Sequence, residues 1–255
     1  MRQFSANLGF LWNDLPLPDA IHAAKRARFD AVECHWPYDT PSEDVKAALK
    51  THGLRMLGLN TSRGDVSAGE NGLSALPGRD ADARAAIDEA LKYASDVGAG
   101  AVHVMAGFSA GDAARSTFIR NLDYATEQGA KHSITILIEP LNGYDAPGYF
   151  LQTTDQAASL IREIDRPNLK LMFDCYHVQL MEGDLSHRME NLLPIIGHIQ
   201  FASAPDRGPP DGGEINFAHV FDLIDELGYD KPLGAEYKPK GPTDASLKWM
   251  DRLRG

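Results

Sequence analysis

The chain has 255 residues, 43% of them hydrophobic, with a formal net charge of −11 and only two cysteines. That apolar fraction excludes a disordered chain and supplies a sizeable core, while so acidic a balance argues against a nucleic-acid partner, whose phosphates are gripped by Lys and Arg. Cys34 and Cys175 are too few for a disulfide framework, which fits a reducing compartment.

The opening stretch, MRQFSANLGFLWNDLP, has one basic residue and a short apolar patch, and no later run approaches the ~18 apolar residues that span a bilayer. A cytoplasmic protein without a membrane partner is expected. Short apolar, often β-branched runs then recur, each followed by a longer amphipathic segment. The strand candidates are Phe4–Leu8, Ala31–Cys34, Arg55–Leu59, Ala101–Met105, Thr135–Glu139, Leu169–Asp174, Ile196–Gln200 and Leu233–Glu236. Between the third and fourth, Ala83, Ile87, Ala90, Leu91, Ala94 and Val97 fall on one face at helical spacing. Thr40, Thr153 or Thr154, and Thr243 sit where helices would start, and Gly53, Gly98 and Gly228 where they would end.

Eight strand–helix repeats with short connections imply parallel strands with right-handed crossovers. A doubly wound open sheet would show a phosphate-binding turn after an early strand, whereas Gly98-Ala99-Gly100 precedes one. The count of eight, at the roughly 250 residues usual for the fold, points to a single (β/α)₈ TIM barrel over residues 1–255.

Catalytic groups of such barrels lie at the C-terminal ends of the strands. The fifth run ends ILIE, placing Glu139 at its tip; the sixth ends at Asp174, the seventh carries Gln200, and the eighth leads into Glu236. One carboxylate at a strand end is usually a helix cap or a loop ion pair. Three at one mouth would repel one another and raise each other's pKa unless a cation neutralised them. Oxygen donors suit one divalent metal, Mg²⁺ or Mn²⁺. His177, three residues past Asp174, falls on a loop leaning over the site, while His103 and His198 read as core or supporting residues.

The segments IEPLN, FDCYHVQLMEGDL, HIQ, GGEINF and GAEYKPKG, with GDVSAGENGLSALPGR upstream, resemble the hydroxypyruvate isomerase family within the xylose-isomerase-like barrels. The resemblance runs over nearly the whole chain. It implies a metal held by Glu139, Asp174, Gln200 and Glu236, proton exchange with substrate by Glu139 and Glu236, and a substrate-binding His177. The implied reaction, in carbohydrate metabolism, is hydroxypyruvate ⇌ 2-hydroxy-3-oxopropanoate, an aldose–ketose type shift through an enediolate.

A carboxylate substrate needs a cation, and Arg207 and Lys238, which flank Gln200 and Glu236, rank ahead of Arg63 and Arg79. Glu214 and Asn216 read as loop or capping residues, and Trp12, Trp36 and Tyr176 as packing residues that could also wall the pocket. The chain departs from the family pattern in two loops: FASAPDRGPPDGG after the seventh run, with Ser203 where Asp is common, and NTSRGD after the third, with Arg63. Both should line the pocket, which keeps open an isomerase or epimerase of a larger sugar or sugar acid. A superfamily endonuclease and a non-catalytic sugar-binding barrel are the more distant alternatives. Beside a small-molecule substrate, a homo-oligomer stays open as a partner.

Overall fold

The computed structural model describes residues 1–255. Nine strands form one sheet: β1 (Phe4–Asn7), β2 (Ala31–Glu33), β3 (Arg55–Met56), β4 (Gly58–Asn60), β5 (Ala101–His103), β6 (Thr135–Ile138), β7 (Leu169–Asp174), β8 (Ile196–Phe201) and β9 (Leu233–Ala235). Their order in space is β3-β2-β1-β9-β8-β7-β6-β5-β4, and every pairing is parallel. β3 and β4 are two pieces of the one expected strand Arg55–Leu59, interrupted at Leu57. The Leu57 N–H donates to Val32 O at 2.7 Å and the Cys34 N–H to Gly58 O at 3.2 Å. One edge of this broken strand therefore bonds β2 and the other, through β4, bonds β5, which closes the sheet into the (β/α)₈ TIM barrel.

The helices are α1 (Leu17–Arg26), α2 (Ser42–His52), α3 (Asp80–Val97), α4 (Gly111–Lys131), α5 (Thr154–Ile164), α6 (Cys175–Met181), α7 (Leu185–Leu192), α8 (Phe217–Glu226) and α9 (Trp249–Leu253). The expected apolar face of α3 is buried from Ala83 to Val97. Helices α2 and α3 stop at Gly53 and Gly98, whose φ of 61° and 74° lie in the left-handed region where a Cβ is unfavourable. Thr153 caps α5 by accepting from the Gln156 N–H at 3.2 Å. Thr40 caps nothing, because α2 starts after Pro41 with no side-chain cap. Thr243 opens a short 3₁₀ turn and accepts instead from the Trp12 N–H at 2.8 Å.

Strand residues alternate between the helices and the barrel axis. Outward residues such as Phe4, Val32, Val102, Ile136, Phe173, Ile199 and Phe201 join one contiguous core of 65 buried hydrophobic residues. Within it the Trp249 ring packs edge-on against Phe4 and Phe201, with centroids 5.0 and 5.3 Å away. The inward residues are another matter. Barrels are ordinarily filled by layers of branched apolar side chains, but here Ser5, Asn7, Glu33, His103, His198 and Gln200 are buried polar residues of that interior. A cavity of about 420 Å³, bordered by Gly58 and Gly197, runs from Arg55, Thr135 and Lys231 at the N-terminal ends of the strands up to Gln200. Cys34 and Cys175 are buried and unpaired. No helix is long and apolar enough to cross a membrane.

Candidate active site

The same alternation carries Met172 to Asp174, His198 to Gln200 and Gly234 to Glu236, so each step of two ends at the C-terminal rim. Asp174 and Gln200 are register partners on β7 and β8. Glu139 and Glu236 follow directly on β6 and β9. All four expected residues come together, and none is more than 6% exposed. Three carboxylates so deeply buried demand compensation, because a buried charge without a partner is strongly unfavourable.

Part of that compensation is Arg207, whose Nη2 lies 2.6 Å from Glu236 Oε2 and 3.5 Å from Asp174 Oδ2. Its guanidinium is held between the rings of Phe10 and Tyr176, at 4.7 and 5.0 Å. The expected substrate cation is thus anchored inside the carboxylate cluster. Glu236 also takes hydrogen bonds from Asn7 Nδ2 at 2.9 Å and His35 Nε2 at 3.0 Å. Burial pushes its pKa up, but Arg207 and His35 outweigh burial and hold the carboxyl below its ordinary range. Glu139 and Asp174 have less help. Burial, then the charges of Glu236 and Asp174, raise Glu139 well above the usual carboxylate value. Burial and Glu236 push Asp174 up to about 8 against the pull of Arg207.

Three buried oxygens of this cluster have no hydrogen-bond partner: Glu139 Oε1, Asp174 Oδ2 and Gln200 Oε1. Such groups are rare in folded proteins, and a missing cation is among their explanations. An all-oxygen donor set fits Mg²⁺ or Mn²⁺. Glu236 Oε1 accepts both Asn7 and His35, whereas Oε2 accepts only Arg207 and keeps a lone pair for a fourth contact.

His177 lies on the first turn of α6 rather than on a loop, because α6 follows β7 without a break. Ligand atoms of Glu139, Asp174 and His177 all fall within 4.8 Å of one another, a spacing compatible with a metal. The tautomer of His177 argues for a different part. Its Nδ1 accepts from the Asn142 backbone N–H at 3.0 Å and from Asn142 Nδ2 at 2.8 Å. The Asn142 amide cannot turn round, since its Oδ1 accepts the N–H groups of Tyr144 and Asp145, each at 2.9 Å. Burial first, then Arg207, holds the His177 pKa well below its ordinary value, so the ring is neutral. A neutral imidazole with Nδ1 accepting carries its proton on Nε2. Nε2, 3.6 Å from Asp174 Oδ2 and 3.8 Å from Glu139 Oε1, therefore offers a proton and no lone pair.

The remaining expected residues fall outside the cluster. The Lys238 side chain is exposed, and only its backbone N–H joins the site, donating to Arg207 O at 2.7 Å. Arg79 is tied to Glu70 and Asp82. Arg63 stacks on Trp36 at 3.9 Å. Asn216 caps α8, and Glu214 accepts from Gln179 Nε2 at 3.2 Å. Asn7, Glu33 and His35 join the site from β1, β2 and the turn after β2, outside the four expected tips. A signal was present, for FSAN and AVE also end in polar residues at inward positions.

The xylose isomerase-like TIM barrel family model matches residues 21–253. Two bacterial relatives cover all of this chain and are covered fully by it: a 2-oxo-tetronate isomerase of Cupriavidus necator, 42% identical, and the hydroxypyruvate isomerase of Escherichia coli, 38% identical. Among solved structures, an AP endonuclease of family 2 from Brucella melitensis superposes with a TM-score of 0.96 at 38% identity, over 100% of both chains. A 3-keto-D-glucoside 4-epimerase from E. coli, with a TM-score of 0.81 and 20% identity over 100% of this chain and 99% of its own, shares the fold.

Proposed function

Because this chain belongs to the xylose isomerase-like TIM barrel family, we propose that it moves the carbonyl of a small 2-oxo-3-hydroxy acid between C2 and C3, with hydroxypyruvate as the substrate and 2-hydroxy-3-oxopropanoate as the product. The full-length relatives make it an isomerase of small hydroxy-keto acids. Their two substrates by name differ by one carbon, on the far side of the reacting pair from the carboxylate. A four-carbon 2-oxo-tetronate is therefore the alternative substrate.

The observation that carries the reading is the set of three buried oxygens without a hydrogen bond, Glu139 Oε1, Asp174 Oδ2 and Gln200 Oε1, beside a Glu236 held ionised. Glu139, Asp174, Gln200 and Glu236 would hold a divalent cation, which supplies Lewis-acid stabilisation of the negative charge that develops on substrate oxygen. The protein's own groups move the protons. One glutamate carboxylate takes the proton from C3 as the electron pair shifts through C2 onto the carbonyl oxygen, giving an enediolate. The other glutamate delivers a proton to C2 while the C3 oxygen becomes the carbonyl and its proton passes to the C2 oxygen. In the reverse direction the two exchange parts. His177 Nε2–H donates to substrate oxygen, and Arg207 keeps Glu236 ionised while presenting its free N–H groups to the substrate carboxylate.

Metal-stripped protein is expected to be inactive on hydroxypyruvate and to recover with Mn²⁺ or Mg²⁺. Full turnover without metal would refute the metal requirement. Turnover on 2-oxo-tetronate but not on hydroxypyruvate would reassign the substrate within the same chemistry. The Brucella relative's name does not favour a nuclease here, since a net charge of −11 works against DNA binding.

Metal binding should also follow pH with a definite sign. Raised carboxyls hold protons in the metal-free fold that a cation must displace. Their contribution to the stability of metal-free protein is full below about pH 4 and is lost as pH rises through Asp174 at about 8. The Glu236 contribution runs the other way, but it fades only at acid pH, below this window. The rise in Tm on adding Mn²⁺ should therefore be larger at pH 8 than at pH 6, with protons released on binding. Calorimetry in buffers of different ionisation enthalpy measures that release; none at pH 6 would contradict the protonated cluster.

A further inference from the structure

Glu33, at the inward end of β2, is 4% exposed and lies just beneath the rim cluster. Four donors converge on its carboxylate. Oε1 accepts from Gln200 Nε2 at 3.0 Å and Asn7 Nδ2 at 3.4 Å; Oε2 accepts from Ser5 Oγ at 3.2 Å and His198 Nε2 at 2.5 Å. A Cβ on Gly234 would fall 2.5 Å from Glu33 Oε1 and 2.8 Å from Gln200 Cγ, so the glycine of β9 makes room for the Glu33–Gln200 contact. None of these atoms belongs to the proton-transfer machinery.

An amide has two unlike ends, and only one of them suits a cation. An ionised carboxylate accepts and never donates. With Glu33 on one side, Gln200 must turn its NH₂ toward β2, and its Oε1 is left buried and unpartnered on the other side. Asn7 is sorted in the same way. Its Oδ1 accepts the Gly9 N–H at 2.9 Å, and its Nδ2 bridges Glu33 to Glu236 Oε1.

We propose that Glu33 is a positioning residue whose acceptor-only carboxylate fixes the Gln200 amide with its oxygen toward the metal site and, through Asn7, aims Glu236. The proposal rests on Gln200 being a metal ligand. In Glu33→Gln the new amide can donate or accept, so the Gln200 amide is free to turn its NH₂ toward the cation. In Gln200→Glu the side chain has two like oxygens, and its orientation no longer needs sorting.

The test is Mn²⁺ affinity, by isothermal titration, of the full chain and four variants. Glu33→Gln should weaken Mn²⁺ binding about 10–100-fold, the range known for groups that orient ligands. The same substitution in the Gln200→Glu background should change affinity less than about 3-fold, a non-additivity that marks direct coupling. Equal losses in both backgrounds would mean that Glu33 supports the barrel generally, and would overturn the proposal. So would wild-type affinity in Glu33→Gln while Gln200→Ala loses Mn²⁺, an outcome that leaves the metal reading intact. Wild-type affinity in Gln200→Ala would remove Gln200 from the ligand set and the proposal with it. If Glu33→Gln does not fold, Glu33→Asp, which keeps the charge but withdraws it by one methylene, makes the same comparison.

Discussion

Glu139→Gln and Glu236→Gln are each expected to lower kcat by about 10²–10⁴-fold, the range for loss of a positioned general acid or base. Glutamine preserves the shape and the metal-facing oxygen but cannot take or return a proton. The two losses should differ in kind. In D₂O, the variant lacking the group that removes the C3 proton should exchange no deuterium into substrate. The other should still wash deuterium into C3 without forming product, and proton NMR reads both outcomes. Glu236→Gln carries a further penalty, because it leaves Arg207 buried beside an amide in place of a carboxylate, so its Tm should fall more than that of Glu139→Gln. Activity within tenfold of wild type in both variants would sink the two-glutamate scheme.

His177→Asn should lower kcat by about 10²–10³-fold, the typical loss on removing one donor to a developing oxyanion. Asparagine retains an acceptor near the position of Nδ1 for the Asn142 N–H and removes only the far donor. Mn²⁺ affinity should stay within about 3-fold of wild type, since the proton on Nε2 leaves no lone pair for a cation. A loss of Mn²⁺ binding comparable to that of Asp174→Asn would make His177 a ligand after all, and would mean that metal uptake breaks the bonds from Asn142.

Much of the site could be found from strand ends because a barrel maps one-dimensional position onto three-dimensional height. Once ILIE, LMFD, HIQ and LGAE are strand ends, their last polar residues must share a rim. Arg207 stands close to Gln200 in the chain, yet its burial between Phe10 and Tyr176 involves the loop after β1 and the first turn of α6, which no local pattern connects. Lys238 looked equivalent in the chain. Its side chain points to solvent, and no hydrophobic or charge pattern in EYKPKG distinguishes the two.

Periods of two and 3.6, with the positions of the strand ends, are enough to specify the parallel eightfold alternation, the apolar face of α3 and the four oxygen-bearing tips. Contacts between side chains far apart in the chain set the rest. The break at Leu57 is one case, where pairing to β2 and β5 is shared between two short pieces. The neutral, Nε2-protonated form of His177 is another, set by Asn142 some 35 residues earlier. The orientation of Gln200 is a third, set by Glu33, 167 residues away. Hydrogen-bond direction is a property of pairs, and the partners here are brought together only when the barrel closes.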